Sequence, residues 1–276
     1  MSDRFTHFLA GFLGVFALCS LSTGALAGSD EEKMADIKKN GGCPRCDLRL
    51  TELRFLTVEN VNFNRANLRE TDLKEAVLPG GDFQNSDLRR TEAERADFSG
   101  SNFTGSNMRS ADLEKANFTN AILEDVDLRD ADLNASIANN ANFDGADLRG
   151  AGFIRSVATG ASFEGAKMDG VNLERADLSG ANFKNARIRQ GKLDRIKADG
   201  ADFSGADFTG VRLVSADLSN ANLTNVNFDG ALLRRTRLVG ADLTGADNLD
   251  PSRILGACGD ENTKLPRGIE LIECSY

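Results

Sequence analysis

The sequence predicts a solenoid wound from a five-residue unit, and three observations predict it. A large apolar residue, occasionally an alanine, stands at every fifth position from Leu48 to Leu243, forty consecutive steps without a slip of frame. The positions around it carry their own residue preferences at the same interval. The period also fits neither regular element, since helices repeat about every 3.6 residues and strands every second residue. A short fixed repeat over most of a chain means units that bury their apolar side only by stacking on the next unit.

Within each unit the residue two before the central position is small (Ala66, Ala96, Ala111, Ala146, Ala176, Ala201). The one before it is mostly Asp or Asn (Asp72, Asp97, Asn102, Asn117), and two after it Gly or Asn recurs (Gly100, Gly145, Gly165, Gly205, Gly245). This Ala-Asp/Asn-Leu/Phe-x-Gly pattern resembles the pentapeptide repeat family. The resemblance implies an all-β chain, a right-handed quadrilateral β-helix with four pentapeptides per coil and about ten coils. The residues support such corners, because a turn whose third residue has φ > 0 favours Gly or Asn there, and Leu78-Pro79-Gly80 carries the preferred central pair of a type II turn. The small and central residues face inward and the other three face water. Coils ~4.8 Å apart make ten of them a rod of ~48 Å.

A period of twenty separates the faces. One carries Phe63, Phe83, Phe103, Leu123, Phe143, Phe163, Phe183 and Phe203, which predicts rings stacked coil on coil. Phe98 beside Phe83 stands against Ala93, and Phe153 beside Phe143 against Ala158, so volume within a layer is conserved.

The ends read in order. Residues 1–27 form a signal peptide, with Arg4, an apolar run Phe8 to Leu21 too short for a membrane span, and Ala25-Leu26-Ala27 as the cleavage site. The expected location is a bacterial periplasm or the exterior. Residues 28–47 form an N-terminal cap: a polar helix over 30–40, stopped by Gly41-Gly42, with Met34 and Ile37 toward the stack. The solenoid occupies 48–247. Residues 248–276 form a C-terminal cap, with Asp250-Pro251 starting a short helix to Ala257 and Leu265, Ile269, Leu271 and Ile272 covering the last coil. The stretch from Leu255 to Pro266 is similar to the tail of exported bacterial pentapeptide repeat proteins.

Four cysteines flank the rod. Its ends lie too far apart for a bridge spanning ~7 Å, so Cys43 pairs with Cys46 and Cys258 with Cys274. The Cys43-Pro44-Arg45-Cys46 run has two readings, a structural staple or a thiol-exchange site. The one histidine, His7, lies in the signal, so no metal or cofactor site and no histidine-based catalysis is expected. Carboxylates such as Asp127 and Asp147 repeat on outward positions as a solvated ladder. An enzyme is not expected.

A net charge of −9 disfavours generic nucleic-acid binding. Arg49, Arg69, Arg89, Arg109, Arg129, Arg149 and Arg189 line one face, with Asp169 breaking the run and Lys167 swapping sign beside it, which predicts cross-coil ion pairs. Lys184, Arg187, Arg189, Lys192, Arg195 and Lys197 form a basic belt, either a seat for an anionic envelope component or an offset to acidic neighbours. Ile137, Ile154 and Val157 take outward positions as an apolar contact patch. The sum predicts a non-enzymatic exported scaffold or protein-interaction module whose partner is an unknown protein or anionic envelope component. Two alternatives accompany it. Family members linked to quinolone resistance mimic DNA and bind DNA gyrase, but this chain departs from them in its export signal, its arginine ladder and its lack of an inserted loop. Thiol exchange at Cys43 and Cys46 is the other.

Overall fold

A computed structural model describes residues 28–274; the expected signal peptide lies outside the described residues. From Gly42 to Asn227 each residue preceding a central position bridges in parallel to the one twenty residues later, as in Asn62 with Asp82 and Asp82 with Asn102. Four such bridges complete each coil, so the chain is a four-sided spiral. We number its faces by their central columns: face 1 from Phe63, face 2 from Leu48, face 3 from Leu53 and face 4 from Val58.

Each rung is built the same way. The central amide donates to the next coil and the preceding amide to the previous one, as in Leu68 N to Asp87 O (2.7 Å) and Asp87 N to Ala66 O (3.0 Å). A turn bond closes the corner, as in Ala66 N to Phe63 O (2.9 Å). The residue two after each central position has positive φ throughout, for example Asn85 at 57° and Gly145 at 69°.

The small positions, and the central positions from Phe63 onward, are buried, and the Phe column stacks. Ring centroids of Phe143–Phe163, Phe163–Phe183 and Phe183–Phe203 lie 4.8, 4.7 and 4.8 Å apart and nearly parallel. That spacing is the distance between paired strands, so one ring per coil fills the face continuously. Leu123 interrupts the column. The extra rings pack edge-on: Phe98 lies 5.5 Å from Phe83, and Phe153 6.0 Å from Phe143, with Ala93 and Ala158 buried in their layers. Thr71 and Thr91, at small positions, return their hydroxyls to the preceding coil, at Leu48 O and Leu68 O (both 2.8 Å), whereas Ser86 and Ser156 bond the carbonyl three residues earlier, at Phe83 and Phe153.

The first rung lies one pentapeptide earlier than the expected boundary at 48. Cys43 N donates to Asn62 O (2.8 Å) and Asn62 N to Gly41 O (2.9 Å), so Cys43 is a central residue and Cys46 the following small one. Gly42 has φ 136°, and a Cβ there would meet Asn62 O at 2.3 Å, so only glycine seats this rung. Before it α1 (Asp30–Asn40) lies as a lid. Ser29 caps it in a capping box with Glu32, and Gly41 ends it at φ 68°. Ile37 is buried, Met34 packs on the core, and Asp30 Oδ2 accepts Glu52 N (3.0 Å).

At the other end the expected helix to Ala257 is only a 3-10 turn, Pro251–Arg253, capped by Asp250. The last repeat coil presents open backbone groups, and the tail satisfies them by winding on: Leu238 N donates to Cys258 O (2.8 Å), and Leu243 N to Lys264 O (2.8 Å). Its bridges, Arg237 with Cys258 and Asp242 with Lys264, run slightly longer than the regular twenty. Strands β1 (Cys258–Gly259) and β2 (Ile272–Glu273) then pair in parallel. Leu265, Ile269 and Leu271 pack on the core, whereas Ile272, expected there, is exposed because β2 turns it outward.

Phe163→Ala removes the middle of the longest ring stack and is expected to cost about 3–5 kcal/mol in denaturant unfolding, the range for a truncated core phenylalanine; a cost near zero would contradict a shared interior. The tail is anchored by two carboxylates. Asp260 Oδ1 accepts Gly240 N (2.8 Å), which with Asn262 and Thr263 lowers its pKa to about 2. Asp242, bonded to Lys264 and Thr244, is likewise lowered to about 2. A depressed carboxylate contributes stability that is full above its unfolded value near 4 and lost as pH falls through about 2. The Gly240 amide resonance should therefore titrate with a midpoint near pH 2, and a midpoint near 4 would mean no anchoring bond.

Candidate interaction surfaces

The outward positions follow from the backbone. The amide just after each central residue has no partner in the ladder, and the Asp or Asn before that residue folds over to accept it. Lys74 N donates to Asp72 Oδ1 (3.1 Å), Gln84 N to Asp82 Oδ1 (3.0 Å) and Ser204 N to Asp202 Oδ1 (2.8 Å). Where that residue cannot accept, a side chain one coil earlier does so: Asn134 for Ile154 N (2.7 Å) and Asp194 for Val214 N (2.9 Å). The repeated acidic residues are thus parts of the turns.

The arginine ladder lies on face 2, but its pairing is largely within one pentapeptide and not across coils as expected. Arg49 Nε and Nη2 reach Asp47 at 2.8 and 2.6 Å, and Arg129 and Arg149 hold Asp127 and Asp147 in the same bidentate way. The two side chains flank one central residue on the same face, so the aspartate that caps the arginine's amide also meets its guanidinium. Arg129 holds the Asp127 carboxyl below the usual range. Cross-coil pairs do occur at the sign swap, Arg187 with Asp169 and Arg189 with Asp207. On the neighbouring face Arg54 pairs with Asp72, Lys74 with Glu92 and Arg212 with Asp194.

The six residues of the basic belt do not converge. Lys184 lies on face 1, Arg187 and Arg189 on face 2, Lys192 on face 3, Arg195 at the corner of faces 3 and 4, and Lys197 on face 4; consecutive residues of a coil must run around its perimeter. Ile137 and Val157 bridge directly on face 4 and are 43% and 37% exposed, but Ile154 is half-buried on face 3. More exposed apolar residues sit at corners of the first coil, Leu50 (72%) and Phe55 (62%). Cys43 and Cys46 span one corner of the first coil with Cα atoms 5.6 Å apart, and Cys258 and Cys274 are 4.9 Å apart, both within disulfide reach. Among the described residues no group of His, Cys, Asp and Glu gathers as a metal cluster, and no helix is long and apolar enough to cross a membrane.

One feature escapes a reading of the sequence by composition. The corner between faces 4 and 1 is turned at all ten coils by Gly or Asn, from Asn60 to Gly240. The corner between faces 3 and 4 is turned by neither: Phe55, Glu75, Arg95, Lys115, Ala135, Arg155, Arg175, Arg195, Ser215 and Arg235 all take positive φ. Left-handed backbone at such residues costs on the order of 1 kcal/mol each. Arg155, Arg175 and Arg195, at φ 59°, 63° and 60°, stand on consecutive coils and border a groove of about 480 Å³ on face 3. Ile154, Glu174, Asp194, Arg212 and Val214 complete it. The spacing of twenty that revealed the ladder would have revealed this edge, had the corner position been read for charge as well as for Gly.

A model of pentapeptide repeats matches residues 59–92, 94–130, 127–161, 159–195, 192–225 and 212–247. No curated protein matches the chain. Among solved structures, the chain is similar to HetL, a pentapeptide repeat protein involved in heterocyst differentiation regulation from the cyanobacterium Nostoc sp. strain PCC 7120, at 28% identity over 76% of this chain and 87% of that one, TM-score 0.39. A pentapeptide repeat protein of the Arabidopsis thaliana thylakoid lumen is 31% identical over 40% of this chain and 74% of its own, TM-score 0.33. QnrB1, a plasmid-mediated fluoroquinolone resistance protein, is 20% identical over 76% of this chain and 94% of its own, TM-score 0.35. With the repeat model matched from residue 59 to 247, in the frame that the bridges follow, the chain belongs to the pentapeptide repeat family, whose repeats wind as a right-handed quadrilateral β-helix.

Proposed function

We propose that the protein is a non-enzymatic scaffold or interaction rod of about ten coils, exported after cleavage before Gly28 and closed at both ends by disulfides, Cys43–Cys46 and Cys258–Cys274. The observation that carries this reading is the uninterrupted rung frame from Gly42 to Asp242, with outward Asp and Asn side chains engaged by their own turns. Such a surface is rigid, and its polar groups are committed to holding it. It offers flat faces for contact, and among the described residues no inserted loop interrupts the repeat frame. The gyrase-binding alternative fits less well, because arginines interleave with the carboxylates of face 2, as Arg49 with Asp47, Arg129 with Asp127 and Arg149 with Asp147, and break up the continuous negative charge that a DNA mimic presents.

For the cysteine pair, the structural reading rests on its seat. A thiol-exchange site draws on the positive end of a helix that follows it, whereas Cys43 and Cys46 follow the end of α1 and turn a β-corner. The Cys43/Cys46 couple should have a reduction potential below about −300 mV, as structural disulfides do; a value near that of thiol oxidoreductases would restore the exchange reading. Fractionation of the producing cells with N-terminal sequencing tests the export reading. A chain beginning at Gly28 in the envelope or medium is expected, and a full-length chain in the cytosol would contradict it.

A further inference from the structure

We infer that the edge between faces 3 and 4 binds a linear anionic glycan, whose carboxylates are taken by the guanidinium groups of Arg155, Arg175 and Arg195. The inference rests on the reading of the chain as a binding rod and names the partner of one edge. Two independent features single out this edge. First, it alone omits the residues that a left-handed corner favours; Gly and Asn are absent from it at every coil, and six of its ten positions are Arg or Lys instead. The corner between faces 2 and 3 also carries such residues, from Leu50 to Asp130 and at Gln190, but returns to Gly at Gly150, Gly170, Gly210 and Gly230. Left-handed backbone kept without Gly or Asn at every coil marks an edge where the side chain is wanted for something other than the turn. Second, its three consecutive arginines are uncommitted. Arg155, Arg175 and Arg195 are exposed and pair with no carboxylate among the described residues. A second arginine-lined groove, formed by Arg69, Arg89, Arg90 and Arg109, has its charges paired by Glu70, Asp87 and Asp130.

Two of the nearby carboxylates are committed elsewhere. Asp194 is occupied by Arg212 Nη2 (2.7 Å) and Val214 N (2.9 Å), and Asp177 accepts the amide and hydroxyl of its own turn at Ser179 (3.2 and 2.7 Å). Glu174 remains as an open acceptor in the groove. The lining therefore offers a row of cations with a hydroxyl acceptor beside it and an apolar floor in Ile154 and Val214.

That combination selects among polyanions. Arg155 and Arg195 stand two coil rises apart, ~9.6 Å, close to the two-unit repeat after which an extended 1,4-linked uronic-acid chain returns a carboxylate to the same side. A guanidinium takes a carboxylate in a bidentate fork, and Glu174 accepts from the ring hydroxyls. An extended acidic peptide presents side chains on one face at about 6.8 Å, every second residue, and brings no hydroxyl for Glu174. Single-stranded nucleic acid is ordinarily held by aromatic stacking, and this groove has no aromatic residue.

Binding of polygalacturonate to the mature protein, measured by calorimetry against its methyl-esterified form, tests this. Polygalacturonate should bind and the neutral ester should not. Arg155→Asn, Arg175→Asn and Arg195→Asn together should lower affinity at least tenfold without loss of thermal stability, because Asn suits these corners better than Arg. Arg49→Asn, Arg89→Asn and Arg149→Asn together should leave affinity unchanged, since those arginines are already paired. Absence of binding, equal loss in the two triple variants, or tighter binding of polyglutamate or oligodeoxythymidylate would overturn the inference. If it fails while the protein is recovered from the envelope beginning at Gly28, the scaffold reading stands and only the partner class falls.

Discussion

Every coil is tied to the next by backbone bridges between residues twenty apart, and those bridges line up only if the chain turns a left-handed corner after each side. The rest of the molecule follows from that constraint. It fixes which two side chains of five point inward, so the interior becomes four columns of apolar residues in register. It sets the rise between coils at the strand spacing, which is also the contact distance of parallel rings, and phenylalanine can therefore stack through successive coils of face 1. It also leaves one amide per pentapeptide outside the ladder. The recurring Asp and Asn before each central residue answer that amide, and the acidity of the chain is in large part a by-product of building turns.

The same constraint governs how the ends are closed. A stack of rungs has two raw edges, and each is covered by a segment that borrows the rung geometry before leaving it. At the start Cys43 already occupies a central position under α1; at the finish the tail winds on past Asp247, one to two residues out of phase, before β2 pairs with β1. The caps are irregular continuations of the spiral, which is why cysteine pairs at corner-length and loop-length spacing fall within reach of one another.

The four faces, the Phe column and the volume exchange between Phe98 and Ala93 were legible in the sequence, because a buried position recurs at fixed spacing whatever the chain does outside. The first rung was not, since Gly42-Cys43 carries no apolar residue to extend the pattern. The winding of the tail was hidden by its slipped offsets, and Pro251 read as a helix start where it opens only a 3-10 turn. The pattern of charges on face 2 does not tell pairing within a pentapeptide from pairing across coils, because residues flanking one central position are as near to each other as to their neighbours one coil away. The belt from Lys184 to Lys197 illustrates the opposite error: closeness in sequence within one coil means separation around four faces, whereas residues twenty apart, such as Arg155, Arg175 and Arg195, share an edge. On a solenoid, surface clusters must be read down the columns.

The twenty-residue register can be tested directly by lengthening the rod. Duplicating residues 163–182, one full coil, should give a protein whose thermal unfolding midpoint is unchanged or higher, because every rung finds an equivalent partner. Inserting three residues at the same point should lower the midpoint sharply, since it turns central residues outward in every later coil. Equal tolerance of the two insertions would contradict the account.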